Sequence, residues 1–167
     1  MTDVKIIETA RLLLHPLTVD EGRRLVGGRP GVGDRWAEGY PTAGDVRGVG
    51  SFLEKVAERG DPGVFRPYEI RRLADGVAVG GIGFHGPPDA DGVVTVGYGL
   101  VPGVRGRGYA SEALRALIAR AREAGATAVR GDADLDNVAS HRVMEAAGMA
   151  YEGEDEVVRH YRLVLTP

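Results

Sequence analysis

The sequence predicts an α/β protein: one mixed, mostly antiparallel twisted sheet of about six to seven strands, with helices on both faces. Three observations carry this expectation. Three consecutive strand-like segments separated by turn signals fill Phe65 to Val101, which implies neighbouring antiparallel strands. Residues 108–124 then hold an unbroken helical stripe of apolar positions. A strand, a further helix and two strands follow. A strand–helix–strand unit after an antiparallel run calls for a mixed sheet covered on both sides. At 167 residues, the chain reads as one domain spanning 1–167 and long enough to bury a core.

The elements follow in order. Arg11-Leu-Leu-Leu-His15-Pro16 is a short apolar strand ended by proline. Thr18-Val-Asp-Glu21 is a capping-box pattern that opens a helix running to about Gly27. Residues 28–48, rich in Gly, Pro and Asp but holding Trp36 and Tyr40, read as a long loop or broken helix. Ser51 to Arg59 reads as a second helix closed by Gly60-Asp-Pro-Gly63. Phe65–Leu73 and Val77–Phe84 form a hairpin around Ala74-Asp-Gly76, and Val93–Val101 is the next strand after a turn at 87–92. In helix 108–124, Ala110, Ala113, Leu114, Leu117, Ile118 and Ala121 form the apolar stripe, and Gly125 stops it. A strand at 127–133, a helix capped by Asn137 and stopped by Gly148, and strands at Tyr151–Glu154 and Val157–Leu165 complete the chain.

Composition removes several function classes. With 21 Lys and Arg against 24 Asp and Glu, the formal charge is −3, so no global field recruits nucleic acid or an acidic membrane surface. The absence of cysteine excludes disulfides, zinc–thiolate sites and a cysteine nucleophile. No signal pattern or membrane-length apolar run is present, so a soluble cytoplasmic protein is expected. Gly81-Ile-Gly83-Phe-His-Gly86 matches G-x-G-x-x-G, but Pro87-Pro-Asp blocks the helix a dinucleotide site needs. No G-x-x-x-x-G-K-[ST] phosphate loop occurs.

Arg105-Gly-Arg-Gly108-Tyr-Ala110 sits between a strand and a helix and fits R-x-x-G-x-A. Arg at the entry can face diphosphate charge, while small residues expose consecutive backbone N–H groups at a helix start. About thirty residues on, Asp136-Asn137-Val-Ala-Ser140 opens a helix that ends at Gly148-Met149. Asn137 is a good N-cap whose amide can also bond into a neighbouring cleft, and Ser140 lies one turn later on a similar side.

Together these elements resemble the GNAT superfamily of acyl-CoA-dependent N-acyltransferases, nearest its ribosomal-protein N-acetyltransferase-like branch. The resemblance also rests on Glu8-Thr-Ala-Arg11-Leu-Leu-Leu, Gly80-Gly-Ile-Gly-Phe84 and Gly97-Tyr98-Gly-Leu100-Val-Pro102, and it spans nearly the whole chain. It implies a GNAT fold and acetyl-CoA as donor, with Arg105, Gly106, Arg107, Gly108, Tyr109 and Ala110 as the diphosphate loop. It places the pantetheine arm against a bulged strand near Leu100 and Val101, where a backbone N–H would stabilise the developing oxyanion. Asn137 and Ser140 fall where relatives bind the pantetheine arm or approach the sulfur. The acceptor implied is an amine of a protein or a small molecule, no metal is expected, and homodimers are common in that branch.

Two positions depart from the family pattern. Met144 stands where many relatives carry an acidic tyrosine, and Thr95 where relatives of the branch often carry a glutamate base. Ser140 is the substitute acid, and His85 and Tyr98 are the leading proton-transfer candidates beside Glu69, Asp132 and Asp134. His85 can equally be a strand-end residue bonded to the following turn. Trp36, Glu38 and Tyr40 can wall the acceptor site, or Trp36 and Tyr40 can simply anchor their loop. His141 and Glu145 read as a surface helix pair rather than metal ligands. With neither cysteine nor a G-x-S-x-G elbow, direct attack by the amine is expected over an acyl-enzyme. The alternative is a non-catalytic acyl-CoA-binding or regulatory module.

Overall fold

The computed structural model describes residues 4–165. In chain order it contains β1 (Ile7–Glu8), β2 (Leu12–Pro16), α1 (Val19–Gly27), α2 (Ala43–Arg59), β3 (Pro67–Arg72), β4 (Ala78–Phe84), β5 (Val93–Leu100), α3 (Tyr109–Glu123), β6 (Ala128–Asp134), α4 (Val138–Ala146), β7 (Ala150–Glu154) and β8 (Val158–Val164). A 3₁₀ turn at Pro102–Val104 joins β5 to the loop before α3. All eight strands form one sheet in the order β1-β2-β3-β4-β5-β6-β8-β7. Every neighbouring pair is antiparallel except β5 and β6.

The mixed α/β architecture and the order of elements are those expected from the sequence. The sheet has one strand more, because Ile7 and Glu8 pair with Leu14 and Leu13. α2 begins at Ala43 rather than near Ser51. Thr42 caps it through a second capping box with Asp45, and Gly44, Gly48 and Gly50 obscure the helical pattern that follows. The loop between α1 and α2 is shortened accordingly and is tied to the sheet, with Trp36 bridging Ala78.

Strand alternation sorts the helices onto the two faces. Gly131 in β6 lies 3.1 Å from Met144 of α4 and 3.5 Å from Val96 of β5, measured from an ideal Cβ. Val94, Val96, Tyr98 and Leu100 therefore face α3 and α4. The intervening Thr95, Gly97 and Gly99 face the other way, toward α2, whose Asp45 overlies Gly81. Gly81 pairs with Gly99 and Gly83 with Gly97, so four neighbouring positions on the α2 face carry no side chain. The core under α3 is apolar: Leu12, Leu14, Leu114, Leu117 and Val129 are fully buried.

The feature that matters most is where β5 and β6 part. They pair only at Val93–Thr95, after which β5 continues to Leu100 against β4 alone. Register to β4 is regular from Phe84↔Val96 to Gly80↔Leu100, so the bulge expected near Leu100 and Val101 is absent. The opening comes from strand divergence instead.

Candidate active site

Two glycines shape the turn between β5 and α3. Gly106 and Gly108 have φ of 79° and 82°, where a side chain is strained. Gly108 is the N-cap of α3. Thr18, Thr42 and Asn137 cap α1, α2 and α4 with side chains, whereas α3 has no side-chain cap. The N–H groups of residues 106–110 accordingly donate to no protein acceptor among the described residues. With the dipole of a 15-residue helix behind them, they form a concave set of donors suited to an anion.

Arg11 braces this turn from β2's approach. Its Nε donates to Glu112 Oε1 at 2.7 Å and its Nη1 to the Arg107 carbonyl at 2.8 Å. The Thr9 hydroxyl and the Arg11 amide donate to Glu112 Oε2 at 2.6 and 2.9 Å. Burial opposes ionisation of Glu112, but these bonds outweigh it and hold the carboxyl below its ordinary value. A trans peptide sets C=O and N–H antiparallel, so fixing the Arg107 carbonyl toward Arg11 turns the Gly108 N–H away from it. Arg105 does something other than the sequence suggested. Its guanidinium folds back onto the Leu100 carbonyl at 3.1 and 3.3 Å, leaving Arg107 as the arginine of the loop whose guanidinium donates to no described residue.

Beyond Thr95, the inner edge of β5 has no strand partner. His85 N–H bonds Thr95 O, and Val101 N–H bonds Val79 O at 2.9 Å. Antiparallel alternation therefore directs the polar backbone groups of Val96, Tyr98 and Leu100 toward the gap with β6. The Leu100 N–H faces that gap. Val101's does not, being spent on Val79, which corrects the expectation for that residue.

Tyr98 crosses to α4. Its hydroxyl lies 2.7 Å from Ser140 Oγ and 3.1 Å from the Ser140 carbonyl. Burial holds this phenol above its ordinary value, against a smaller lowering by Ser140, so it stays protonated at neutral pH. Exposed Asn137 accepts from the Ser140 N–H at 3.1 Å, the capping role expected of it.

On the opposite face a cleft of about 880 Å³ lies between α2 and the glycine floor. His85 sits over Gly97, its Nε2 2.6 Å from where a Cβ would stand, so only glycine admits the ring there. The imidazole makes no hydrogen bond to a described residue, and the His85 carbonyl accepts from Lys55 at 2.9 Å. Desolvation, then the Lys55 charge, hold the ring below the ordinary histidine value against a pull from Asp132. Asp45 overlies Gly81 in the same manner, its Oδ1 filling the place a Cβ would take. Burial outweighs its hydrogen bonds from Thr42 and holds its carboxyl above the usual range. Nothing lies within 4 Å of the Cβ position of Gly99, which leaves the floor open there.

Tyr40 also lines the cleft, buried, with its hydroxyl donating to Glu69 at 2.9 Å; Arg71 Nε donates to the other Glu69 oxygen at 2.7 Å. Burial, then the Glu69 charge, drive the Tyr40 phenol far upward, so it acts as a donor. Trp36 packs edge-on against Tyr40 at 5.7 Å, and neither Trp36 nor the exposed Glu38 lines the cleft. Asp132 and Thr95 border a separate polar hollow with Arg130 and His160. The His141 ring is buried and bonds the Asp134 carbonyl, while Glu145 accepts from Tyr161, so these two side chains do not converge.

A family model described as an acetyltransferase (GNAT) domain matches residues 11–150. The chain belongs to the GNAT acetyltransferase family. It is similar to YjdG of Bacillus subtilis, named an uncharacterized N-acetyltransferase, at 26% identity over 124 residues, 73% of each chain. In fold it is similar to a GNAT-family acetyltransferase from Bacillus anthracis (TM-score 0.69, 19% identity, covering 96% of this chain and 98% of that one). It is also similar to a ribosomal-protein-S5-alanine acetyltransferase from Vibrio fischeri (TM-score 0.69, 12% identity, 96% and 97% covered). GNAT membership makes the protein an acetyl-CoA-dependent acyltransferase.

Two parts of this GNAT site escaped the sequence reading. The Arg11–Glu112 brace joins residues 101 positions apart, and nothing local to either marks it. Asp45 had a local signal in Thr42-Ala-Gly-Asp45, a capping box hidden by the surrounding glycines. Met144, where the resemblance leads one to expect a tyrosine, is a core residue with 1% exposure. The phenol that reaches α4 comes from β5 instead.

Proposed function

We propose that this GNAT protein is an N-acetyltransferase in which donor and amine meet at β5, approaching from its two faces, and the acetyl group passes directly to the amine. One observation carries the reading. The uncapped amide cradle at 106–110 adjoins the stretch of β5 with a free edge, and the reverse face of that stretch opens, at Gly99, into the α2 cleft. The residues present fit an acyl-CoA, which supplies the acetyl group as an activated thioester. The amides of Gly106 to Ala110 and the exposed Arg107 hold the diphosphate. The edge of Val96 to Leu100 receives the pantetheine amides as an added strand would.

The Leu100 N–H polarises the thioester carbonyl and stabilises charge growing on its oxygen; a donor in that role contributes about 2.7–4 kcal/mol to the rate. His85, largely neutral near pH 7, takes the proton of the attacking amine. As the C–N bond forms and the C–S bond breaks, the Tyr98–Ser140 pair supplies a proton to the departing thiolate. Tyr40 belongs to the acceptor wall, and Trp36 and Glu38 do not.

The reading is tested by following CoA thiol release over a panel of amines. Tyr98→Phe and Ser140→Ala are each expected to cut kcat by about a hundredfold or more while acetyl-CoA affinity is kept. A deprotonated His85 is the active form, so kcat/KM is expected to rise with pH and level off after an inflection below the ordinary histidine value, and His85→Gln to abolish that inflection. Acetyl-CoA binding without thiol release for any amine would favour the binding-module alternative suggested by Thr95 and Met144.

A further inference from the structure

The cleft on the α2 face is asymmetric in charge. Arg47, Lys55 and Arg59 line it together with Gly44, Gly48 and Ser51, whereas Glu54 and Glu58 of the same helix do not. Residues 47, 51, 55 and 59 recur every four positions, so the cations form one stripe about 18 Å long on the cleft side. Lys55 stacks on Arg59, and Glu54 on Glu58, at i,i+4. Such like-charge pairs are unfavourable on an isolated helix, and the one opposite-charge pair at helical spacing, Lys55 and Glu58, is not made, Lys55 turning to the His85 carbonyl instead.

These cations are uncommitted. Among the described residues, none of the three has a carboxylate within 4.0 Å, and the only polar contact is that of Lys55 with the His85 carbonyl. The acids near them are occupied: Asp61 accepts from Arg66 and the Gly63 amide, and Asp89 from the amides of Asp91 and Val93. At the N-terminal end of α2 the sign reverses: Asp45 lines the cleft over Gly81, and Glu69, opposite Gly81 on the neighbouring strand, is held behind it by Tyr40 and Arg71.

We propose that the acceptor is an amine that also carries an anionic group, a carboxylate or a phosphate, held along the mouth of the cleft by Arg47, Lys55 and Arg59. This rests on the acetyl-transfer reading above and deepens it. An ammonium group entering toward Gly99 passes Asp45, while its anionic part meets the stripe in charge-assisted hydrogen bonds. A linear polyamine would bring its second cation against that stripe and is disfavoured. The diphosphate cradle lies on the opposite face of the sheet, so the stripe is not a duplicate of it. The anion can come from a small molecule or from an acidic peptide beginning with a free amine.

Matched amines separate these cases: phosphoethanolamine against ethanolamine, glycyl-aspartate against glycyl-asparagine, and putrescine as a dication, with wild type and an Arg47→Glu/Arg59→Glu variant. Wild type is expected to prefer the anionic member of at least one pair by about tenfold or more in kcat/KM, mainly through KM. The charge-reversed variant is expected to lose most of that preference while acetyl-CoA affinity, measured by calorimetry, is unchanged. The phosphoethanolamine and dipeptide arms distinguish a small-molecule source from a peptide source. Equal rates within both pairs, a preference for putrescine, or discrimination that survives charge reversal would overturn the proposal. So would turnover of no anionic amine by an enzyme that binds acetyl-CoA, which leaves the donor site standing; failure to bind acetyl-CoA removes both readings together.

Discussion

Arg11 sits where a side chain from the N-terminal strand region decides the geometry of a distant turn. Its bond to the Arg107 carbonyl and its two-point hold on Glu112 fix the peptide that presents the Gly108 N–H. Removing the guanidinium should therefore loosen the diphosphate cradle and leave the pantetheine edge intact. Arg11→Ala is expected to weaken CoA binding by about tenfold, the loss of one well-placed charged hydrogen-bond partner, with little change in the affinity of pantetheine, which lacks the diphosphate. A general destabilisation would weaken both ligands, and competition calorimetry separates the two. The sequence pointed at Arg105 instead, because R-x-x-G-x-A places an arginine at the loop entry. What the pattern does not encode is the nearby Leu100 carbonyl, left unpaired by the divergence of β6, which captures that guanidinium.

At the scale of elements, α2 combines two demands that conflict. It needs helix-forming residues to persist, yet Gly44, Gly48 and Gly50 interrupt it. Gly44 and Gly48 line the cleft, where a side chain would narrow the mouth; Gly50 does not line it and has nothing within 4 Å of its Cβ position. Gly50→Ala is thus expected to stabilise the protein by about 0.5–1 kcal/mol in urea unfolding, without changing acceptor KM. The same glycines explain why the sequence pattern starts the helix near Ser51: the propensity signal fails at positions that leave the cleft open. By contrast, α1 and α4 were legible through local side-chain caps, and α3 through its uninterrupted apolar stripe and the stop at Gly125. The free edge of β5 was legible only through family resemblance. Strand divergence depends on how β6 is held by β8, which no local pattern records.

For the molecule as a whole, the proposed function divides labour across one sheet. In that proposal the α3–α4 face and the β5 edge hold the donor, and the α2 face, floored by Gly81, Gly83, Gly97 and Gly99, takes the acceptor. The order of elements announced this arrangement, because three antiparallel strands followed by a strand–helix–strand unit leave one parallel junction, β5–β6, where the sheet opens. The charge character of the acceptor side was not legible, since nineteen of the twenty-one basic residues are arginine and no single one stands out before the fold aligns them. The most direct test is calorimetric titration of acetyl-CoA into wild type, Gly108→Trp and Gly48→Trp, each confirmed as folded by thermal unfolding. The expected result is one site in wild type, affinity reduced by about a hundredfold or more when the cradle is blocked at Gly108, and affinity unchanged when the cleft is blocked at Gly48. Equal affinity in wild type and Gly108→Trp, or no binding by wild type, would contradict the assignment of the donor to this face.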